Sequence, residues 1–103
     1  MIKQTQAILI GLILGDGYLS KPVGKKTITS YLDLKYDEKY LKYLTWIHKE
    51  LKELNPSEIK KKKGFHQYRF YTKSRGDIGS LRNIFYPNGT KIIPSDILQY
   101  LEE

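Results

Sequence analysis

The sequence predicts an α+β fold: an initial helix followed by two strand–strand–helix units, which together make a four-stranded antiparallel sheet with helices on one face. Residues 27–35 and 65–73 alternate polar and apolar side chains with the period of a half-buried strand. Two later segments repeat apolar residues every three or four positions, the period of a helix packed by one side. No linker or low-complexity tract divides the 103 residues, so 1–103 reads as a single domain. A chain of this length buries roughly 60–70% of its unfolded surface, enough for one core.

The first helix covers residues 6–14 and is apolar on every side, with Ile8, Leu9, Ile10, Leu12, Ile13 and Leu14. A helix without a polar face is buried all round, which in so small a domain calls for a partner surface beside the home core. Gly11 and Gly15 stand four apart on one face, and each costs up to about 1 kcal/mol relative to Ala. That cost makes sense where a second backbone approaches closely, either within the chain or from another copy. Asp16-Gly17 ends the helix, with Gly17 suited to a left-handed cap.

Strands at 18–21 and 27–35 flank a turn at 22–24. In the second of these, Ile28, Ser30, Leu32 and Leu34 share one face, and Thr27, Thr29, Tyr31, Asp33 and Lys35 the other. Asp37 caps a long helix whose stripe is Tyr40, Leu41, Leu44, Ile47, Leu51 and Leu54, stopped by Asn55-Pro56. A second hairpin spans 58–63 and 65–73 and turns at Lys63-Gly64. There Gln67, Arg69, Tyr71 and Lys73 alternate with Tyr68, Phe70 and Thr72. A third helix over 77–86 buries Ile78, Leu81, Ile84 and Phe85 and breaks at Pro87-Asn88-Gly89, and a short helix at 95–101 follows Pro94.

Absent cysteine excludes disulfides, thiol nucleophiles and Cys-based zinc sites, and His48 and His66 are too few for a His-rich metal site. The longest apolar run, at 7–14, is far short of the ~18 residues of a membrane span and is not flanked like a secretory signal. Between Lys21 and Arg75 stand 15 basic and 6 acidic residues, against 3 and 5 in the rest, within a net charge of +7. Such clustering suits a polyanion, nucleic acid first, because Lys and Arg on phosphates release condensed counterions. A solvated Lys-rich surface is the plain alternative. The Lys- and Tyr-rich composition hints at an AT-rich genome, hence an intracellular protein of an organelle (mitochondrion or chloroplast) or of microbial cytoplasm.

The stretch Leu9-Ile10-Gly11-Leu12-Ile13-Leu14-Gly15-Asp16-Gly17 resembles the LAGLIDADG motif of homing endonucleases. The likeness continues through Tyr68-Arg69-Phe70-Tyr71-Thr72-Lys73-Ser74, Leu81-Arg82-Asn83-Ile84-Phe85-Tyr86 and Lys91-Ile92-Ile93-Pro94, nearly the whole chain. The resemblance implies the family's αββαββα core with a saddle-shaped sheet, and activity as a site-specific double-strand DNA endonuclease encoded in an intron or intein. It implies that two motif helices pack through their glycines, with Leu9, Gly11, Leu12 and Gly15 at the interface. It implies that Asp16, with the Gly15 carbonyl, binds Mg²⁺ or another divalent cation for phosphodiester hydrolysis, oxygen ligands being what such ions take. Leu14 stands where the family often has a second acidic residue. Family members also keep a basic residue near the active site after the last strand. Lys73 and Arg75 are the candidates, Lys73 assigned to catalysis and Arg75 to DNA.

The sheet is the expected DNA-reading surface, entering the major groove. Its outward set is Thr27, Thr29, Tyr31, Asp33 and Lys35, then Gln67, Arg69 and Tyr71, with Lys60 and Lys62 alternating onto the same face or onto phosphates. The lysine run reads equally as a solvated edge that deters strand pairing. His48 falls near the apolar stripe and reads as a packing residue. His66, beside a turn, is either a DNA contact or plainly exposed. One motif supplies one Asp16, so double-strand cutting calls for a homodimer or a homologous half. The segment 91–101 resembles the stretch that leads into the second motif of two-motif members. A non-cleaving DNA- or RNA-binding protein of the same fold (maturase, ribosome-associated or regulatory) is the alternative reading. No membrane role is expected.

Overall fold

In the computed structural model, which describes residues 1–22 and 28–101, α1 (Lys3–Leu14) leads into β1 (Tyr18–Leu19) and β2 (Leu32–Asp37). Next comes α2 (Leu41–Glu50), framed by 3-10 turns at Glu38–Tyr40 and Lys52–Leu54. β3 (Lys60–Lys61), β4 (Gln67–Tyr71), α3 (Gly76–Phe85) and α4 (Leu98–Leu101) complete the order. The strands form one antiparallel sheet in the order β1-β2-β4-β3, with the two longer strands central. The fold is the α+β arrangement that the alternation implies.

Local chemistry explains the element ends. The Asp37 carboxylate accepts the Lys39 N–H at 3.0 Å, and Asn55 closes the α2 region in the left-handed conformation at φ 51°. Gly64 and Gly89, both at φ 81°, make the turns expected at those points. Gly17 departs from expectation: it is not left-handed. A Cβ there would lie 2.7 Å from the Leu12 carbonyl oxygen and 3.2 Å from Leu32 Cδ1, so close approach, not conformation, excludes a side chain.

Among the described residues the second strand begins at Leu32, where its ladder is interrupted, and the predicted start at 27 lies outside them. The Leu32 N–H bonds the Thr72 hydroxyl at 3.0 Å, and Ser30 pairs instead with Arg75. Beyond that break Ile28 leaves the expected inward face and is exposed, while its backbone packs on α3. A Cβ on Gly79 would come within 2.4 Å of the Ile28 carbonyl oxygen.

Beneath the sheet lies one core. Leu19, Leu32, Leu34 and Phe70 point down from the strands onto Leu9, Ile10 and Ile13 of α1, Leu44 and Ile47 of α2, and Ile78 and Phe85 of α3. Each such side chain contributes roughly 1.5–3 kcal/mol by leaving water. His48 packs its ring edge-on to Phe70 at 5.0 Å and hydrogen-bonds the Ser57 carbonyl at 2.8 Å, a joint between α2 and the second hairpin. Arg82 is buried, with Nε on the Leu19 carbonyl at 3.4 Å and its guanidinium over Tyr86 at 5.0 Å.

Arg75 holds the entry of α3. Its guanidinium donates to both Asp77 oxygens, at 3.0 and 2.9 Å, and to the Glu53 carbonyl at 3.0 Å. Burial pushes the Asp77 carboxyl up, but the Arg75 hydrogen bonds and charge outweigh it and hold it below its ordinary value.

This packing makes glycine substitutions diverge by position. Gly79→Ala should destabilise the chain by about 1–3 kcal/mol through overpacking on Ile28, whereas Gly11→Ala, where nothing lies within 4 Å, should stabilise the monomer by up to about 1 kcal/mol. Urea unfolding at low protein concentration measures both. Because the folded Asp77 carboxyl titrates below its unfolded value, its contribution is present above about pH 4 and lost as pH falls through the folded value. Asp77→Asn should therefore cost about 1 kcal/mol at pH 7 and progressively less as pH falls below about 4, read from unfolding curves at each pH.

Candidate functional site

The end of α1 is built around one cation. The N–H groups of Gly15 and Gly17 both return to the Leu12 carbonyl, at 3.1 and 2.7 Å. The carbonyls of Ile13, Gly15 and Gly17 instead receive Lys91 Nζ, at 2.9, 3.1 and 2.9 Å. An ammonium there satisfies terminal carbonyls and meets the negative end of the helix dipole. Lys91 reaches the spot because Gly89 turns the chain back after α3 (N–H to the Tyr86 carbonyl, 3.2 Å) and Ile92 N–H docks on the Phe85 carbonyl at 2.8 Å.

Asp16 follows directly, exposed, at the meeting of two surfaces. On one side it lines a pocket of about 350 Å³ with Tyr18, Asp33, Lys35 and Arg69. On the other it lines a groove with Gly11, Gly15, Tyr36, Tyr43 and Trp46. Burial, and then the neighbouring Asp16 carboxylate, push the Tyr36 phenol up to about 12.

Strand register gives the sheet's outer face. Residues directly opposite in an antiparallel pair share a face, so Tyr18, Asp33 and Tyr71 form one rung and Lys35, Arg69 and Lys60 the next. Asp37 and Gln67 form the third, with Lys62 beside them through its N–H to the Gln67 carbonyl at 2.8 Å. Tyr31 joins this face, its ring 6.0 Å from that of Tyr71. Arg69 pairs with Asp33 at 3.0 Å. The surface is thus a cationic strip whose central guanidinium has one carboxylate on it. Thr29 is half-buried next to it, and Thr27 lies outside the described residues. His66 is exposed, 3.5 Å from Glu38.

The structure gives several of the expected site residues specific neighbours. The rung order puts Asp16 before Tyr18 and Lys73 after Tyr71, so the two leave their shared rung in opposite directions, with Arg69 lining the pockets of both. Lys73 lines a different cleft, of about 690 Å³, with Tyr31, Asn55, Arg69 and Tyr71. The cation at the end of α1 is Lys91, from the Lys-Ile-Ile-Pro turn. Its signal in the sequence is its isolation in an otherwise nearly neutral end. Arg75, the residue assigned to DNA, is hydrogen-bonded within the chain to Asp77 and the Glu53 carbonyl. Of the residues expected at the helix interface, Leu9 is fully buried in the chain's own core and Leu12 nearly so. Gly11 and Gly15 are exposed, with no close neighbour that a Cβ would strike. Tyr18, Asp37, Tyr36, Tyr43 and Trp46 join these surfaces although no motif marks them. Register extends the alternation to the first two, and three-residue spacing links Tyr43 to Trp46.

Magnesium takes hard oxygen donors, and the Asp16 carboxylate and Gly15 carbonyl are of that kind. A carbonyl has two lone pairs, and Lys91 occupies one on Gly15. Among the described residues no three His, Cys, Asp or Glu side chains cluster as a ligand set, so the donors fit in kind and a full shell needs oxygens from outside the chain. Among the same residues no helix is long and apolar enough to cross a membrane.

Comparison with curated proteins gives no match. A family model described as the LAGLIDADG DNA endonuclease family matches residues 6–103, from the second turn of α1 through the sheet, α3 and the Lys91 turn. With the helix order, the four-stranded antiparallel sheet and the carboxylate at the end of the glycine-bearing helix, this match over nearly the whole chain settles its kinship: the protein belongs to the LAGLIDADG DNA endonuclease family.

Proposed function

We propose that two copies of this chain act together as a site-specific, Mg²⁺-dependent endonuclease for double-stranded DNA. The observation that carries the reading is the double position of Asp16, which opens onto the cationic outer face of the sheet and also onto the glycine face of α1. DNA lying on that outer face would bring its phosphates to the carboxylate. One chain supplies one such carboxylate, and cutting two strands takes two.

Asp16 and the Gly15 carbonyl would hold the cation. When bound, a hard divalent ion supplies an activated water and charge stabilisation for the leaving oxygen. Lys91 fixes the carbonyls on either side of Asp16, so its role is to keep the carboxylate at a set position over the sheet. Lys35 and Arg69, in the same pocket, would hold the phosphodiester, and Asp33 orients the Arg69 guanidinium. Gln67 and Tyr71 stand further along the outer face, where Gln suits adenine and an aromatic ring suits a thymine methyl.

The test is cleavage of randomised duplex DNA with Mg²⁺. Asp16→Asn should lower the rate about a thousandfold or more while duplex binding persists, since metal stabilisation is worth several kcal/mol. Lys91→Met should cost roughly a hundredfold, with little change in affinity. Tight, salt-sensitive binding by the parent chain with no cutting at any protein concentration would sink the nuclease and leave a non-cleaving binder of the same fold.

Affinity against salt separates phosphate contacts from structural cations. Lys35→Ala and Lys60→Ala should each make the log–log salt dependence shallower by about one unit, as expected for a side chain that neutralises one phosphate. Arg75→Ala should leave the slope unchanged and lower only the unfolding midpoint.

A further inference from the structure

The groove between α1 and α2 has a second wall that the glycine face alone does not account for. It holds about 410 Å³ and is lined by Ile8, Gly11, Leu12, Gly15 and Asp16 on one side and by Tyr36, Tyr43 and Trp46 on the other. Tyr43 and Trp46 stack at 6.2 Å with their planes 14° apart, and Tyr36 meets Tyr43 edge-on at 5.7 Å. The two α2 rings are 48% and 50% exposed, a large apolar area to leave in water when no described residue covers it. No lysine or arginine among the described residues lines the groove, although the chain carries +7, which disfavours a nucleic acid as its occupant.

We propose that this aromatic wall is part of the seam between two copies, the partner's α1 lying between the glycine face of one α1 and the Tyr43–Trp46 stack. This rests on the dimer proposed above and names residues of α2 in it. The occupant must be apolar over its length and small enough to sit over Gly11 and Gly15. Within this chain residues 7–14 of α1 are the segment that meets both conditions, the polar turn Lys3-Gln4-Thr5-Gln6 lying at the far end. The groove is continuous with the open Gly11–Gly15 stripe, so a helix seated on the stripe reaches the rings without a break.

Trp46 is the only tryptophan in the chain, so its emission reports on this groove directly. Sedimentation of the full chain over a range of concentrations should show a dimer, with Trp46 emission shifting to the blue as it forms. Trp46→Ala and Tyr43→Ala should each weaken the dimer at least tenfold and leave the circular dichroism of the dilute monomer unchanged. Trp46→Phe should restore most of the affinity, and Thr45→Ala, on a different face of α2, should have no effect. A dimer whose affinity ignores Trp46→Ala, and whose formation leaves Trp46 emission unmoved, would overturn the wall while sparing the α1 seam. A parent chain that stays monomeric at every concentration would overturn the dimer and the wall together. A shift appearing only when duplex DNA is added to a monomer would assign the groove to nucleic acid and overturn the proposal.

Discussion

The grip of one ammonium on three backbone carbonyls defines how α1 ends, and the rest of the site depends on that end. An amphipathic helix is oriented by its polar face, but α1 has almost none, so the hydrophobic effect alone would leave its rotation and register poorly specified. Two features at its C-terminus supply the missing definition. Lys91 binds the carbonyls of Ile13, Gly15 and Gly17, and Gly17 packs so tightly on Leu12 and Leu32 that no side chain fits. Asp16 sits between two of those carbonyls. Its place over the first rung of the sheet is therefore a consequence of a contact made from the far end of the chain.

The outer face shows the opposite balance, because its residues do not stabilise the fold they sit on. Lys35, Arg69 and Lys60 lie directly opposite one another across three strands, and like charges so placed repel. Asp33 offsets one of the three through its bond to Arg69. Folding tolerates this strip because the inner face of the same strands buries Leu32, Leu34 and Phe70 completely. A polyanion laid across the strip would relieve the repulsion, which is why the arrangement points to a ligand rather than to a solvated surface.

Much of this is legible in the sequence, and what is not has physical causes. Alternation identifies the outward side chains of β2 and β4, because a period of two admits only two faces once one of them is apolar. It fails at Ile28, which is exposed beyond the point where the Leu32 N–H takes the Thr72 hydroxyl instead of a ladder carbonyl. Such a side-chain intrusion has no local pattern. The glycine stripe is legible as a need for close approach, but which apolar neighbours belong to the home core is not, since Leu9 and Ile8 look alike until the sheet is in place. Lys91 and Arg75 show the same difficulty with charge. Both are basic residues after the last strand, and only three-dimensional placement reveals that Arg75 closes α3 while Lys91 closes α1. The Tyr43–Trp46 stack is hidden because the leucines and Ile47 of α2 already make a sufficient core stripe.

In the dimer proposed above, association and cation binding are not independent. Each copy brings an Asp16 to the end of its seam helix, and two carboxylates drawn together out of bulk water repel. A divalent ion held there removes that repulsion, so it favours the associated state over separated chains. By linkage the effect runs both ways: whatever the ion contributes to association, association contributes equally to the affinity for the ion. On that reading a single chain, with one carboxylate and a carbonyl already shared with Lys91, would bind the ion weakly. On the proposed reading, hydrolysis would require two copies to meet on a duplex, which would keep an exposed carboxylate beside a cationic strip from acting on nucleic acid indiscriminately.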